Sequence, residues 1–184
     1  GVWYPIGGMY AGIQALVKIA EKLGVKFIYN APVKKIAAKG SEVKGVVLED
    51  GREFAADIFV GNADLPYIYK ELLPKNNEAK KLENKLYTCS TIMFYWGVDK
   101  KYPQIGHHNV FLGGDYKASF DQIFNDHTLP DVPSFYVHAP ARTDASAAPD
   151  GQETLYVLVP VGHLDARSEQ DWDAMVNRAR ETVF

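Results

Sequence analysis

The first 64 residues carry the pattern that most constrains the fold of this 184-residue chain: one amphipathic helix followed by a series of short strands. Residues 9–23 place apolar side chains at helical spacing on one face, and Gly24 is typical of the residue after a helix end. Asp50-Gly51 marks a hairpin turn. The short apolar runs predict strands at residues 25–29, 33–38, 43–49, 53–56 and 57–61. This succession indicates a helix packed with a β-meander.

The sequence changes character after Asp64, where helices and longer apolar strands alternate. Helical patterns predict helices at residues 65–73, 77–86, 116–124 and 171–184. Apolar, β-rich runs predict strands at residues 91–98, 109–113, 134–139 and 154–161. Strands separated by helices of unequal length favour a mixed, mainly antiparallel sheet over a regular βαβ series. We therefore place a domain boundary at residue 64, with one domain over residues 1–64 and a second over residues 65–184.

Composition excludes several classes of protein. The net charge of −3 comes with no clustered basic stretch, which excludes a dedicated nucleic-acid surface. Cys89 is the only cysteine, so an internal disulfide and a cysteine-rich metal site are both excluded. The longest apolar runs are far shorter than the roughly 20 residues of a membrane-spanning helix. The sequence therefore predicts no transmembrane helix.

Motifs of catalytic or metal chemistry are weak. Gly7-Gly8 precedes the first helix but lacks GxGxxG spacing, so a simple loop-to-helix junction is the preferred interpretation. His107 and His108 are adjacent, and neighbouring side chains on a strand diverge, so we expect no metal site. A polar lining or a hydrogen-bonded core histidine is the preferred interpretation, with proton transfer as the alternative. Arg142 and Asp144 are expected to pair with each other. The dense aromatic residues of the second half fit a core or the wall of an apolar cavity, and composition does not separate the two.

Four separated segments, in order, resemble the bacterial and fungal phytoene desaturase family of carotenoid flavoenzymes. "GVWYPIGGM" is similar to that family's GVWFPxGG segment, and "DIFVGNADLPYIYKELLP" is similar to its SNAD segment. "GHHNVFLGGDYKASFDQIF" resembles the HH-x-x-x-F-G stretch. "HAPARTDASAAPDGQETLYVLVPVGHL" resembles the TD-x-S-x-AP and YVLxPVxHL signature. The ordered match makes the resemblance specific over nearly the whole chain.

The resemblance implies an FAD-dependent enzyme that introduces double bonds into phytoene or a related polyene, by hydride transfer to the flavin and loss of a proton. It implies a Rossmann-like FAD-binding domain, to which residues 1–64 contribute a central part, and a substrate domain with a mixed sheet over residues 65–184. It also implies a location at the membrane surface, on the cytoplasmic side, and quinone or oxygen as the electron acceptor. The main pyrophosphate-binding segment is expected outside this chain, which would then be a central piece of the enzyme and inactive alone.

The same resemblance implies which residues of this chain lie near the cofactor. Val33 occupies the place of a residue whose backbone contacts the adenine, and Asn62, Ala63 and Asp64 are expected near the FAD diphosphate or adenosine. An alternative role for Asp64 is to cap the helix that follows it. No catalytic residue is assigned and no metal is expected. Carotenoid isomerases, retinol saturase-like flavoproteins and a non-redox module that binds an apolar ligand remain open as alternatives.

Overall fold

The chain forms two compact units in the computed structural model, which describes residues 3–74, 76–164 and 169–184. One unit comprises Gly24–Leu86. The other comprises the residues up to Leu23 together with Tyr87–Phe184. This division does not test the domain boundary predicted at residue 64, because compact units of a single chain need not coincide with the domains of its family. The boundary stays a prediction.

The unit Gly24–Leu86 is built on a small antiparallel sheet. Its strands are paired in the order β1 (Val33–Lys39), β2 (Glu42–Leu48) and β3 (Glu53–Phe54). Positive φ angles at Gly40 and Gly51 allow the two tight turns between them. Helix α2 (Leu65–Tyr67) runs into a π-helix (Ile68–Leu72), and α3 (Asn77–Leu82) follows.

A small core holds this unit together. Leu48 of β2 and the π-helix residues Ile68 and Leu72 are buried, and the π-helix contacts β1. The side chain of Asn76 accepts a hydrogen bond from the Ala79 amide and so caps α3. The meander therefore packs against the turn of helix that follows Asp64.

Two strands predicted in this unit are not formed. Residues 25–29 and 57–61 have no strand structure, and β3 ends at Phe54 instead of residue 56. A strand needs a neighbour to satisfy its backbone groups, and neither segment pairs with any strand in the described part of the chain. Ile58 and Val60 are consequently 81% and 87% exposed.

The second unit contains a four-stranded antiparallel sheet in the order β4-β7-β6-β5. Its strands are β4 (Ser90–Val98), β5 (His108–Phe111), β6 (Phe135–His138) and β7 (Glu153–Val161). Its helices are α1 (Met9–Lys22), α4 (Tyr116–Phe124) and α5 (Trp172–Val183), with 3₁₀ turns at Pro140–Arg142 and Ala145–Ala147. These four strands and three α-helices agree with the sequence prediction within a few residues at each end.

Strand β7 is the centre of the core. Alternate residues of β7 are buried, and Val157, Val159 and Val161 are fully enclosed. Side chains of β4, β6, α5 and the loop before β6 complete the same cluster: Ile92, Phe94, Val137, Met175, Ala179 and Leu129. Strand β4 pairs with β7 over its whole length, from Ser90–Val161 to Val98–Glu153. This register determines which side chains of the two strands face the core.

Helix α1 begins after Gly8 and has the predicted amphipathic pattern, but none of its side chains is buried among the described residues. No helix in the described ranges is long and apolar enough to cross a membrane.

Candidate functional site

Three histidines converge at one edge of the four-stranded sheet. His107 lies directly before β5, His108 begins β5, and His138 ends β6. The antiparallel register pairs His108 with His138, so residues 30 positions apart become neighbours. One ring nitrogen from each histidine lies within 4.8 Å of the others. The sheet therefore assembles a cluster that no local motif encodes.

Hydroxyl groups hold two of the rings. The Nδ1 of His107 lies 2.6 Å from Thr143 Oγ1, and the Nδ1 of His108 lies 2.6 Å from Tyr136 Oη. The Nε2 atoms of His107 and His138 are 2.8 Å apart. This last contact accommodates one proton between the two nitrogens, so at most one of these rings is charged while it persists.

The surroundings favour neutral rings. Burial lowers the pKa of His138 below its ordinary value of 6.5, and the nearby His107 and His108 lower it further. Burial, followed by the influence of His108, also lowers the pKa of His107. Burial and the neighbouring Tyr156 raise the pKa of Tyr136 above 10.0. The lowered pKa values of His107 and His138 favour their uncharged forms near neutral pH, and the raised pKa of Tyr136 keeps its hydroxyl protonated.

The cluster opens into a cavity of about 660 Å³. This volume is within the roughly 300–1,000 Å³ of small-molecule sites. Besides the three histidines, the wall contains Trp3, Tyr4, Met9, Tyr136 and Tyr156. Tyr4 packs edge-on against His107, with ring centroids 4.9 Å apart. A mainly aromatic and apolar wall with a few polar atoms can bind an extended hydrocarbon.

The glycine pair before α1 is fixed by a buried carboxylate. The Gly7 amide donates to Asp144 Oδ2 at 2.8 Å, and Asp144 Oδ1 accepts from the hydroxyl and amide of Ser146 at 2.6 and 3.0 Å. These bonds, the Ser146 hydroxyl first, lower the pKa of Asp144 below 3.8. Gly7 and Gly8 both have positive φ angles, which explains why glycines occupy this junction.

The predicted pairing of Arg142 with Asp144 is wrong. Arg142 pairs instead with Glu153 at the start of β7, at 2.5 Å, and also donates to the Tyr102 carbonyl. Glu153 is 2% exposed and accepts a second bond from the Tyr102 amide. A buried carboxylate needs such partners, and Asp144 already has its own donors.

The residues predicted to contact FAD all lie in the unit Gly24–Leu86. Val33 opens β1, opposite Leu48, and is half-buried. Asn62, Ala63 and Asp64 are exposed in the segment before α2. Asp64 occupies the N-cap position and its carbonyl accepts from the Ile68 amide, but its side chain makes no capping bond. The capping alternative is therefore wrong for the Asp64 carboxylate, and the FAD contacts stay predictions.

The sequence predicts no histidine cluster, because it places His107 and His108 as neighbours on a strand, where side chains diverge. Only His108 is in β5; His107 precedes it, and the two ring centroids are 4.4 Å apart. His138 comes from the next strand of the sheet. The predicted strands contain a signal for the cluster, because antiparallel pairing of 109–113 with 134–139 brings His107 and His108, just before the first strand, close to His138 in the second.

Comparisons with known proteins show which family this chain is similar to. The family model of flavin-containing amine oxidoreductases matches residues 1–171. The chain is 48% identical to a zeta-carotene-forming phytoene desaturase of Myxococcus xanthus and 42% identical to a phytoene desaturase of Cercospora nicotianae. It is 37% identical to a lycopene-forming phytoene desaturase of Pantoea ananas.

Each of these alignments covers 100% of this chain but only 35–38% of the relative. The chain thus spans about a third of the length of the curated relatives that it matches. The family match covers well over half of the chain, and the mixed α/β structure with two antiparallel sheets is consistent with it. This chain therefore belongs to the family of flavin-containing amine oxidoreductases.

Proposed function

We propose that this chain is part of an FAD-dependent carotenoid desaturase that introduces double bonds into phytoene or a related polyene. The observation that carries the proposal is the similarity of the whole chain to proteins named as phytoene desaturases, at 37–48% identity. The reaction removes a hydride and a proton from neighbouring carbons of the substrate, so that a carbon–carbon double bond forms.

The aromatic cavity is the place we propose for the polyene. Its wall of tryptophan, tyrosine and methionine side chains offers apolar contact, at roughly 25 cal/mol for each Å² removed from water. An extended hydrocarbon has no hydrogen-bonding groups, so contact area and shape must supply its binding energy. We assign to Trp3, Tyr4 and Tyr156 the role of holding the chain of the substrate.

The unit Gly24–Leu86 is where we propose that this chain contributes to the FAD site. Asn62 and Asp64 are exposed, and within the described chain their side chains make no hydrogen bond. An amide and a carboxylate in this state fit the polar adenosine part of the cofactor, because both can accept from ribose hydroxyls. The backbone of Val33 is proposed to contact the adenine. Bound flavin would supply the hydride acceptor of the reaction.

The exposed apolar segments in this unit fit the same proposal. Residues 25–29 and 57–61 read as strands in the sequence but have no pairing partner in the described chain. We propose that they are strands of a Rossmann-like FAD-binding domain whose other strands belong to the remaining two thirds of the protein. The main pyrophosphate-binding segment is assigned to the same remainder, because residues 1–184 contain no GxGxxG.

We further propose that the enzyme works at the membrane surface, on its cytoplasmic side, because a polyene substrate is dissolved in lipid. Quinone or oxygen is the proposed acceptor that reoxidises the flavin. Flotation of the full-length protein with lipid vesicles tests the first proposal. The rate of flavin reoxidation with a quinone, compared with oxygen alone, tests the second.

The function is tested by expressing the full-length gene in a host that accumulates phytoene and analysing the pigments. We expect products with a longer conjugated system, visible as new absorption bands, and their loss when Trp3 and Tyr4 are both replaced by alanine. Unchanged phytoene with well-expressed, FAD-containing protein would contradict desaturation. A change of double-bond geometry alone would indicate an isomerase, and saturation of a double bond a saturase-like enzyme. Expressed protein without flavin would favour the non-redox binding module.

A further inference from the structure

The three-histidine cluster has a feature that hydrocarbon binding does not require: one nitrogen of each imidazole lies within 4.8 Å of the other two. An apolar substrate gains nothing from them. The register of β5 and β6 and the hydroxyls of Thr143 and Tyr136 hold the rings in this arrangement. The chemistry of the cluster therefore needs its own account.

In His107 and in His108, a hydrogen bond to Nδ1 leaves Nε2 as the nitrogen for binding an ion. Nδ1 of His107 contacts Thr143 and Nδ1 of His108 contacts Tyr136, which leaves Nε2 of both rings for another partner. Histidines that bind metal ions in proteins use this division, with one nitrogen on the ion and the other fixed by a second residue. His138 presents its Nε2 to the Nε2 of His107.

The distances allow an ion after a small movement of the rings. Zinc–nitrogen bonds of about 2.0–2.1 Å in a tetrahedral site place two ligand nitrogens about 3.3 Å apart. The Nε2 atoms of His107 and His138 are 2.8 Å apart, and all three ligand atoms lie within 4.8 Å of one another. To bind the ion, the Nε2 atoms of His107 and His138 must move apart and the ring of His108 must move closer. These shifts are roughly 0.5–1.5 Å. Side-chain rotation supplies movements of this size.

We propose that His107, His108 and His138 form a binding site for Zn²⁺ or a similar first-row divalent cation, with the open coordination position facing the aromatic cavity. Three imidazole ligands without a carboxylate favour zinc, copper, nickel or cobalt over magnesium or calcium. A three-histidine set leaves room for water or another ligand on the ion, as in open zinc sites. The bound ion would tie the beginning of β5 to the end of β6. This proposal does not rest on the desaturase function.

The experiment uses the full-length protein, freed of metal with a chelator and titrated with Zn²⁺ against a competing fluorescent chelator. We expect one ion per chain and a dissociation constant of about 1 μM or tighter. His108→Gln and His138→Gln should each weaken binding at least tenfold. His163→Gln is the matched control, because it removes a histidine outside the cluster, and it should leave the affinity unchanged.

Circular dichroism of each variant separates lost binding from lost folding. Should His138→Gln fail to fold, X-ray absorption of the zinc-loaded wild-type protein decides, and we expect three or more nitrogen ligands at about 2.0 Å. Sub-stoichiometric binding by the wild-type protein would overturn the proposal. Equal losses in His138→Gln and His163→Gln, or a coordination shell without imidazole, would also overturn it. Zinc binding in a protein that fails to desaturate phytoene would leave this site standing and overturn only the proposed function.

Discussion

Asp144 shows how one residue can organise a junction between distant parts of the chain. Its carboxylate accepts from the Gly7 amide across 137 positions and also from Ser146 in its own loop. It is 6% exposed, so these donors replace the water that the carboxylate would otherwise bind. The segment before α1 is thereby attached to the loop before β7.

We predict that this attachment weakens in acid. The folded-state pKa of Asp144 is lowered, so its contribution to stability is present above 3.8 and is lost as the pH falls through the lower folded value. The protection factor of the Gly7 amide against hydrogen exchange in the full-length protein should fall in this range. Asp144→Asn should abolish the acid transition and lower the protection at neutral pH, and the exposed neighbour Asp150 provides the control Asp150→Asn. Equal protection in wild type and Asp144→Asn would contradict the assignment.

We predict that the ion pair between Arg142 and Glu153 stabilises the folded protein. Glu153→Gln leaves the Arg142 guanidinium, which is 25% exposed, without its carboxylate partner, so it should lower the free energy of unfolding by about 1.5–3 kcal/mol. The double variant Arg142→Met/Glu153→Gln should recover part of this loss. Urea unfolding measures both.

The exposed pair Lys117–Asp121 is the control, since Lys117→Gln should cost less than about 1 kcal/mol. Equal costs for Lys117→Gln and Glu153→Gln would show that Glu153 is not a buried partner. A double variant less stable than Glu153→Gln would contradict the coupling.

Among the elements of the fold, the end of β7 packs against the loop that precedes β6. The Gly162 amide donates to the Thr128 carbonyl at 3.1 Å. A Cβ atom at Gly162 would lie 2.2 Å from the carbonyl carbon of His127, so a side chain cannot be accommodated without moving backbone. Gly97 in β4 has nothing within 4 Å of the same position.

We therefore predict opposite outcomes for the same substitution at these glycines. Gly162→Ala should destabilise the protein by about 1–3 kcal/mol or more, as overpacking does. Gly97→Ala should be neutral or stabilising by up to about 1 kcal/mol, because it restricts the unfolded chain. Thermal unfolding of both variants gives the comparison. Similar melting temperatures would show that the loop does not pack against the end of β7.

Elements with a strong hydrophobic pattern and a packing partner within this chain could be predicted from the sequence. Residues 116–124 form the predicted helix, and the run 154–161 forms the buried strand β7. Residues 25–29 and 57–61 have the same apolar character but no neighbour in the described chain, so they form no strand. Propensity describes what a segment favours, whereas pairing decides whether a strand exists.

No local sequence pattern indicates the histidine cluster or the Arg142–Glu153 pair, because both depend on residues that the fold brings together. Glu153 is eleven positions from Arg142 and separated by a turn, while Asp144 is only two positions away. The shorter sequence distance therefore favoured Asp144, which is the wrong partner for Arg142. The resemblance in the sequence agrees with the family that the comparisons show, because it compares whole segments and not single contacts.

At the scale of the whole molecule, the unit Gly24–Leu86 is predicted to contribute to FAD binding. Asn62→Leu in the full-length protein should weaken FAD binding about fivefold to tenfold, the loss expected for about one hydrogen bond. Asn84→Leu is a suitable control, because the Asn84 side chain is hydrogen-bonded to the Lys80 carbonyl at the end of α3. Calorimetric titration of the flavin-free protein measures both. An unchanged affinity in Asn62→Leu would remove Asn62 from the cofactor site.

We propose that this chain belongs to an enzyme in which oxidation of a polyene reduces a bound flavin. The direct measurement is a single turnover without oxygen: purified full-length protein with FAD is mixed with phytoene in lipid vesicles, and flavin absorbance and pigments are followed together. We predict bleaching of the flavin in step with one new double bond per flavin reduced, and recovery of absorbance on adding quinone or oxygen. A flavin that stays oxidised while phytoene is bound and unchanged would contradict the account.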